Sequence, residues 1–192
     1  MVFLSSMLRT LNSVLKRFLK EWVLLTFLPL YLILTFVLTF GTVSGESMEP
    51  TLYDGERLLV LKYPRWLTVW GILRSFPQHG QLLVLKAPAD SEYAIEKGWF
   101  GLEHRPYMVK RLIGKPGDTL EIREGEVWLN GKKLPEPYAS EARGADSLPE
   151  IKLKEDEYFV LGDNRATGSS VDSRYYGPVK FSDLAGPVVP LF

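Results

Sequence analysis

From Trp22 to Phe40 the chain reads WVLLTFLPLYLILTFVLTF, nineteen residues without a charge. A helix rises 1.5 Å per residue, so such a run spans the ~30 Å hydrocarbon layer of a bilayer. Pro29 lies inside it, which membrane helices tolerate. A cleavable secretory segment has an apolar region of only ~7–15 residues and ends at a small-x-small site. The run here is longer, and Thr42-Val43-Ser44 is a poor cleavage site. The pattern therefore predicts an uncleaved transmembrane anchor over residues 22–40. Before it, Leu4, Met7, Leu8, Leu11, Leu15, Phe18 and Leu19 recur at helical spacing among Arg9, Lys16, Arg17 and Lys20. Residues 1–21 are then an amphipathic helix on the inner leaflet, or a cytoplasmic extension of the membrane helix.

Beyond residue 41 the period changes from helical to strand-like. Arg57–Leu61, Gln81–Leu85, Tyr107–Ile113 and Tyr158–Leu161 are apolar runs of strand length. Thr119–Arg123 and Glu126–Leu129 alternate around Glu124-Gly125, and Asn130-Gly131 joins Val127–Leu129 to Lys132–Leu134 as a hairpin. Residues 87–106 and 135–149 have the irregular composition of long loops. The fold expected is mainly β: an N-terminal transmembrane helix followed by one antiparallel β-rich domain over residues 41–192. One segment stands apart. In Tyr63–Phe76, Trp66, Val69, Trp70 and Leu73 fall at i, i+3, i+4 and i+7, one face of a short helix with Arg65 and Arg74 at its ends. That face either packs on the β-domain or dips into the outer leaflet.

Charge adds orientation. Lys+Arg and Asp+Glu balance at 23 each over the 192 residues. Residues 1–40 hold Arg9, Lys16, Arg17 and Lys20 against Glu21, which leaves 19 basic and 22 acidic residues beyond them. No Lys or Arg follows the apolar run before Arg57. The positive-inside rule then predicts a cytoplasmic N-terminus and an extracytoplasmic β-domain, single-pass in the cell membrane. A slightly acidic domain lacks the basic footprint of a nucleic-acid binder. With no cysteine there is no disulfide, thiol nucleophile or thiolate metal site. His79 and His104 are the only histidines, too few for most metal sites without carboxylate help.

Candidate chemistry begins just after the anchor, in Ser44-Gly45-Glu46-Ser47-Met48-Glu49-Pro50-Thr51-Leu52. Gly45 permits a tight backbone path, and Pro50 stiffens the segment and biases Glu49 to an extended form. A serine held there presents its hydroxyl and its backbone N–H together, as attack on a carbonyl requires. A second candidate is Lys110, within the apolar run Tyr107–Ile113. On a strand, Met108, Lys110 and Leu112 share one face. Apolar neighbours on either side disfavour the ammonium, the condition for a lysine that works as a base.

These residues and their order resemble the type I signal peptidases. Ser47-Met48-Glu49-Pro50-Thr51-Leu52 resembles the family's nucleophile motif, and Asp54–Val60 the strand that follows it. Tyr107–Asp118 resembles the general-base block, and Gly162-Asp163-Asn164-Arg165 with Ser170–Arg174 the last family motif. With Leu129–Lys132 the resemblance covers most of residues 43–186. It implies Ser47 as nucleophile, Lys110 as general base and Ser170 as the hydroxyl that orients the lysine. Val43, Met48, Leu52, Met108 and Val109 would line shallow pockets for small side chains, with Arg111, Asp163, Asp172 and Arg174 bracing the site. Several departures stand out. Six residues, Ala166–Val171, separate Arg165 from Asp172 where the family usually has five, so Ser169 competes with Ser170. Gly45 occupies the place where some members put an oxyanion-hole serine, leaving backbone donors, chiefly the Ser47 N–H. Gln81 stands where an Asp is common. The endoplasmic-reticulum type has His-Arg where this chain has Lys110-Arg111, so the resemblance is to the bacterial or organellar Ser–Lys kind.

What the resemblance implies is a membrane-bound endopeptidase that cleaves signal peptides from exported pre-proteins after small residues. Its partners would be those signal peptides and the lipid bilayer, with no nucleic acid, no metal and no organic cofactor. Two other readings are a Ser–Lys self-cleaving repressor, which would need a DNA-binding module, and an inactive membrane-anchored β-domain serving as a scaffold.

Overall fold

The computed structural model describes residues 2–93, 95–97, 101–141, 144 and 146–191, with side chains from residue 12 onward. It forms two compact units, residues 1–38 and 39–192.

The first unit is helix α1 (Val2–Leu32), closed by a π-wound turn over Ile33–Val37. The two N-terminal segments read from the sequence are thus one continuous helix that runs through Pro29. Arg17 and Glu21 pair at i,i+4 with a 2.9 Å contact. The apolar side chains from Val14 to Leu34 are exposed on every side of the helix. Asn12–Val37, 26 residues, is long and apolar enough to cross a membrane once. The predicted amphipathic positions Leu4, Met7, Leu8 and Leu11 have side chains outside the described residues. Leu38–Phe40, assigned above to the anchor, are extended instead. They open strand β1 (Leu38–Thr42), because β1 pairs beside β2 (Arg57–Leu61) at the sheet edge.

The second unit is antiparallel. A six-stranded sheet has the order β1, β2, β12 (Leu184–Leu191), β3 (Leu82–Leu85), β6 (Met108–Gly114), β11 (Phe159–Leu161). A four-stranded sheet has the order β10 (Leu148–Lys152), β7 (Thr119–Arg123), β8 (Glu126–Leu129), β9 (Lys132–Lys133). The hairpin read from Asn130-Gly131 is present, with both residues at positive φ (52° and 75°), as a primed turn demands. Two sections read as loops hold more structure. Residues 87–106 contain the hairpin of β4 (Glu96–Lys97) and β5 (Glu103–His104), and the second loop ends in β10. Strand β12 had no signal because Pro187 and Pro190 read as strand breakers. It changes partner midway, pairing β3 through Leu184–Pro187 and β2 through Val188–Leu191. A strand that hands over between partners has positions where no ladder calls on the missing N–H.

Helix α2 covers only Tyr63–Val69. Gly71, at φ 72°, then turns the chain, so the i+7 relation across the segment fails. Leu73 packs on the core, whereas Val69 and Trp70 point outward. The anticipated single face is therefore split.

Three packed clusters hold this unit. Leu83, Leu85, Leu112, Val160 and Leu184 form one with Phe76 and Val179. Ile113, Phe159 and Leu161 carry the six-stranded sheet onto Leu120, Ile122 and Val127 of the smaller one. Val43, Met48, Leu52 and Leu58 form the third, against Leu82, Val109 and Val188. Phe159, fully buried, joins the two sheets, and truncation leaves a cavity that both must bridge. Phe159→Ala is expected to cost about 3–5 kcal/mol. Chemical denaturation of the purified protein in detergent, followed by tryptophan fluorescence, measures it.

Candidate active site

Ser47 sits on the loop that turns β1 into β2. Gly45 holds φ at 86°, a left-handed value that a side chain disfavours, and its N–H donates to Asp54 Oδ1 at 2.8 Å. The turn is closed by Glu49 N–H donating to Glu46 carbonyl oxygen and by Thr51 and Leu52 N–H donating to Met48 carbonyl oxygen. Met48 and Leu52, 1% and 0% exposed, anchor the loop from beneath. These two buried side chains fix the position of the half-exposed serine that precedes them. Among the described residues, the Ser47 N–H has no hydrogen-bond partner within the protein.

Lys110 comes from the middle of β6. Register places it opposite Leu83 of β3, and Met108 and Leu112 flank it two residues away on the same face. Its side chain is 3% exposed, and Nζ lies 2.7 Å from Ser47 Oγ. Burial pushes the amine down to about 8, with Arg174 reinforcing the shift and Asp172 and Asp163 opposing it. A free amine at that distance is equipped to accept the hydroxyl proton, and a hydroxyl relieved of its proton is a nucleophile.

The loop after β11 supports both groups. A Cβ on Gly162 would stand 2.2 Å from Ser170 Oγ and 2.5 Å from the Ser47 carbonyl oxygen, so only glycine allows this approach. Asn164 N–H donates to the Ser47 carbonyl oxygen (3.2 Å), and Asn164 Nδ2 donates to that of Glu46 (3.1 Å). Ser170 is buried and Ser169 is half-buried. The Ser170 hydroxyl donates to Asp172 Oδ2 at 2.8 Å, and among the described residues Lys110 Nζ bonds only to Ser47. Ser170 therefore stands beside the pair with its proton on Asp172, and among the described residues no hydrogen bond joins it to Lys110.

Buried charges fasten these loops. Arg111 grips Asp163 with two contacts, Nε to Oδ1 at 2.8 Å and a second terminal nitrogen to Oδ2. It also donates to the Gly80 carbonyl oxygen, and the Tyr138 ring lies 3.9 Å from its guanidinium carbon. Thr51 of the serine loop donates to Asp163, tying that loop to the same pair. Asp172, 0% exposed, accepts from Gly162 N–H, Ser170 and Arg174, which also reaches Asp146. Arg165 pairs with Glu136 and donates to the Gly162 carbonyl oxygen. Glu136 and Tyr138 carried no sequence signal, since a buried charge in an irregular stretch looks like any loop residue. Among the described residues no cluster suited to a metal appears.

A cleft of about 300 Å³ is lined by Thr39, Phe40, Leu58, Val84, Met108 and Val109 among others, with neither Ser47 nor Lys110 in its walls. Met108 and Val109 lead directly into Lys110 on β6. Val43, Met48 and Leu52 instead pack into the cluster behind Leu58 and Val109. His79 sits in an exposed turn with Nε2 2.7 Å from Asp118 Oδ2, and His104 lies on the exposed hairpin.

Residues 15–192 match the family model described as signal peptidase, peptidase S26. The chain belongs to the signal peptidase family. It is 34% identical to a signal peptidase I of Bacillus licheniformis over 171 residues, 83% of this chain and 80% of that one. It is 31% identical to a signal peptidase IB of Staphylococcus aureus over 193 residues, covering 90% of this chain and 88% of that one. A crystal structure of a signal peptidase I from Enterococcus faecalis aligns with 58% of this chain and 95% of that one, at 30% identity and a TM-score of 0.43. Family membership makes the chain a serine endopeptidase by class, and the one helix among the described residues that is long and apolar enough fits one membrane pass.

Burying an amine has a consequence for stability that this signal peptidase should display. The folded state holds Lys110 near 8 and the unfolded chain at 10.5, so the unfolded state binds the extra proton between those values. The stability deficit is complete below pH 8 and disappears as pH rises through 10.5. Lys110→Met is expected to stabilise the protein by about 3 kcal/mol at pH 7 and by almost nothing at pH 10.5. Denaturant midpoints at both pH values check this.

Proposed function

We propose that this chain is a membrane-anchored signal peptidase that cleaves the signal peptides of exported pre-proteins with a Ser47–Lys110 dyad. The observation that carries the reading is a buried amine, 2.7 Å from a serine hydroxyl, on a chain of this family. Ser47 Oγ attacks the scissile carbonyl carbon while its proton passes to neutral Lys110. The Ser47 N–H faces the oxyanion that forms, and collapse expels the amine, which takes the proton from Lys110. Water then hydrolyses the acyl-enzyme, with Lys110 again accepting a proton. Ser170 acts on the lysine through Asp172, whose carboxylate draws the ammonium toward its charged form against the burial that opposes it. The cleft before Lys110 takes small side chains, with Met108 and Val109 at its surface and Val43, Met48 and Leu52 shaping it from behind. The N-terminus lies in the cytoplasm and the β-domain on the outer face, as the basic residues before the span direct.

Incubation of the detergent-solubilised full chain with a pre-protein, beside Ser47→Ala, tests the reading. Ser47→Ala and Lys110→Ala should each abolish cleavage with the fold retained by circular dichroism, and the double variant should be no worse than either. Appreciable turnover by Lys110→Ala would sink the dyad. His79→Ala and His104→Ala should keep activity. The acidic limb of kcat/KM should have its midpoint near pH 8, where Lys110 loses its proton. A rate flat from pH 5 upward would contradict a lysine base.

A further inference from the structure

The two peptide units that flank the candidate nucleophile are both held by one residue of another loop. Asn164 N–H donates to the Ser47 carbonyl oxygen at 3.2 Å, and Asn164 Nδ2 donates to the Glu46 carbonyl oxygen at 3.1 Å. The first bond fixes the peptide after Ser47, and the second fixes the peptide before it. Asn164 is itself firmly placed. On one side Asp163 is buried against Arg111, and on the other Arg165 is buried against Glu136. Its side-chain oxygen accepts from Ala166 N–H at 3.3 Å, which leaves the amide nitrogen turned toward Glu46.

The bond to Glu46 is the one that loop packing alone does not call for. Glu46 is exposed, and its carbonyl oxygen already accepts from Glu49 N–H at 3.1 Å, so water would serve the remaining lone pair. What a second fixed donor adds is direction. A trans peptide is planar, with its C=O and N–H pointing opposite ways, so whatever fixes the Glu46 carbonyl also fixes the Ser47 N–H. That N–H has no hydrogen-bond partner among the described residues, and it is the donor that faces the oxyanion. Two donors on the carbonyl also polarise the amide, which strengthens its N–H as a donor.

We propose that Asn164 is a positioning residue of the oxyanion hole: by holding the Glu46 carbonyl it keeps the Ser47 N–H aimed at the oxygen that becomes negative during attack. This rests on the Ser47–Lys110 peptidase reading and adds a residue that, among the described residues, bonds to neither Ser47 Oγ nor Lys110 Nζ. A misaimed donor weakens the transition state and leaves ground-state binding alone, because the negative charge exists only once the hydroxyl has attacked. The effect of losing Asn164 therefore belongs in kcat and not in KM.

Two variants separate this from a general loop brace. Asn164→Leu removes the side-chain donor at nearly equal size, and Asn164→Asp removes it while keeping the oxygen that accepts from Ala166 N–H. Both retain the backbone N–H that holds the Ser47 carbonyl. On the detergent-solubilised full chain with a soluble signal-peptide substrate, each should lower kcat about tenfold or more with KM unchanged. In Asn164→Leu the acidic limb of kcat/KM should keep its midpoint near pH 8, since Lys110 and its field are untouched. A moved midpoint means that the loop carrying Asp172 has shifted, and it overturns the proposal. An unchanged kcat, or a rise in KM that accounts for the whole loss, does the same. A tetrahedral probe reads the effect without turnover. A peptide boronic acid binds by forming a bond from Ser47 Oγ to boron while the hydroxyl proton passes to Lys110, and one oxygen of the resulting anion takes the oxyanion's place. Its affinity should fall by the same factor as kcat/KM in both variants, whereas the matching peptide alcohol, which forms no anion, should bind as before. Equal loss for boronate and alcohol makes Asn164 a structural brace and overturns the proposal. If the parent enzyme binds the boronic acid no better than the alcohol, or keeps that advantage in Ser47→Ala, it is the Ser47 reading that fails, and the proposal falls with it.

Discussion

The contact between a buried amine and a serine hydroxyl is the constraint around which the second unit is arranged. An ammonium taken out of water is costly, so Lys110 is stable there mainly as a neutral base or with compensating charge nearby. The strand pairing supplies the dry side: Leu83 opposite, Met108 and Leu112 to either side. Asp172 and Asp163 supply the opposing field, and Arg174 offsets part of it. The outcome is an amine near 8, low enough to be neutral in an accessible fraction and high enough to remain a useful proton acceptor. Neither burial alone nor the carboxylates alone would set that compromise.

Holding the hydroxyl in place is a separate problem, met by buried ion pairs instead of secondary structure. The serine loop and the loop after β11 are irregular, and irregular backbone needs partners. Thr51 and Asn164 provide cross-loop hydrogen bonds, and Arg111–Asp163 lies beneath them. Asp172 gathers Gly162, Ser170 and Arg174 into one cluster. Breaking one member of such a buried set leaves an uncompensated charge, so these residues act as a unit with the fold. Among the described residues none of them bonds to Ser47 Oγ or Lys110 Nζ, and they bear on that pair through the position of Ser47 and the field at Lys110.

The same sheet serves two surfaces. A cleft crosses the sheet from β1 over β2, β12 and β3 to the first residues of β6, and beyond the end of β2 helix α2 leaves Val69 and Trp70 exposed.

Local pattern alone determined the apolar span, the strands Arg57–Leu61 and Thr119–Arg123, and the Asn130-Gly131 hairpin, because hydrophobic period and turn chemistry are properties of neighbouring residues. It also picked out Ser47 and Lys110, through motif order and an apolar run around a lysine. It misjudged what depends on distant partners. Leu38–Phe40 read as membrane helix and became strand through pairing beside β2, and Leu184–Leu191, given no element from the sequence, became a central strand by changing partner. Val69 and Trp70 were separated from Leu73 by one turn at Gly71. Glu136, 29 residues from its partner Arg165, entered the site's support unannounced. Tertiary structure decided these because a hydrogen bond or buried ion pair between residues tens of positions apart leaves no periodic trace in either segment, and the 2.7 Å between Ser47 and Lys110, 63 residues apart, is of that kind.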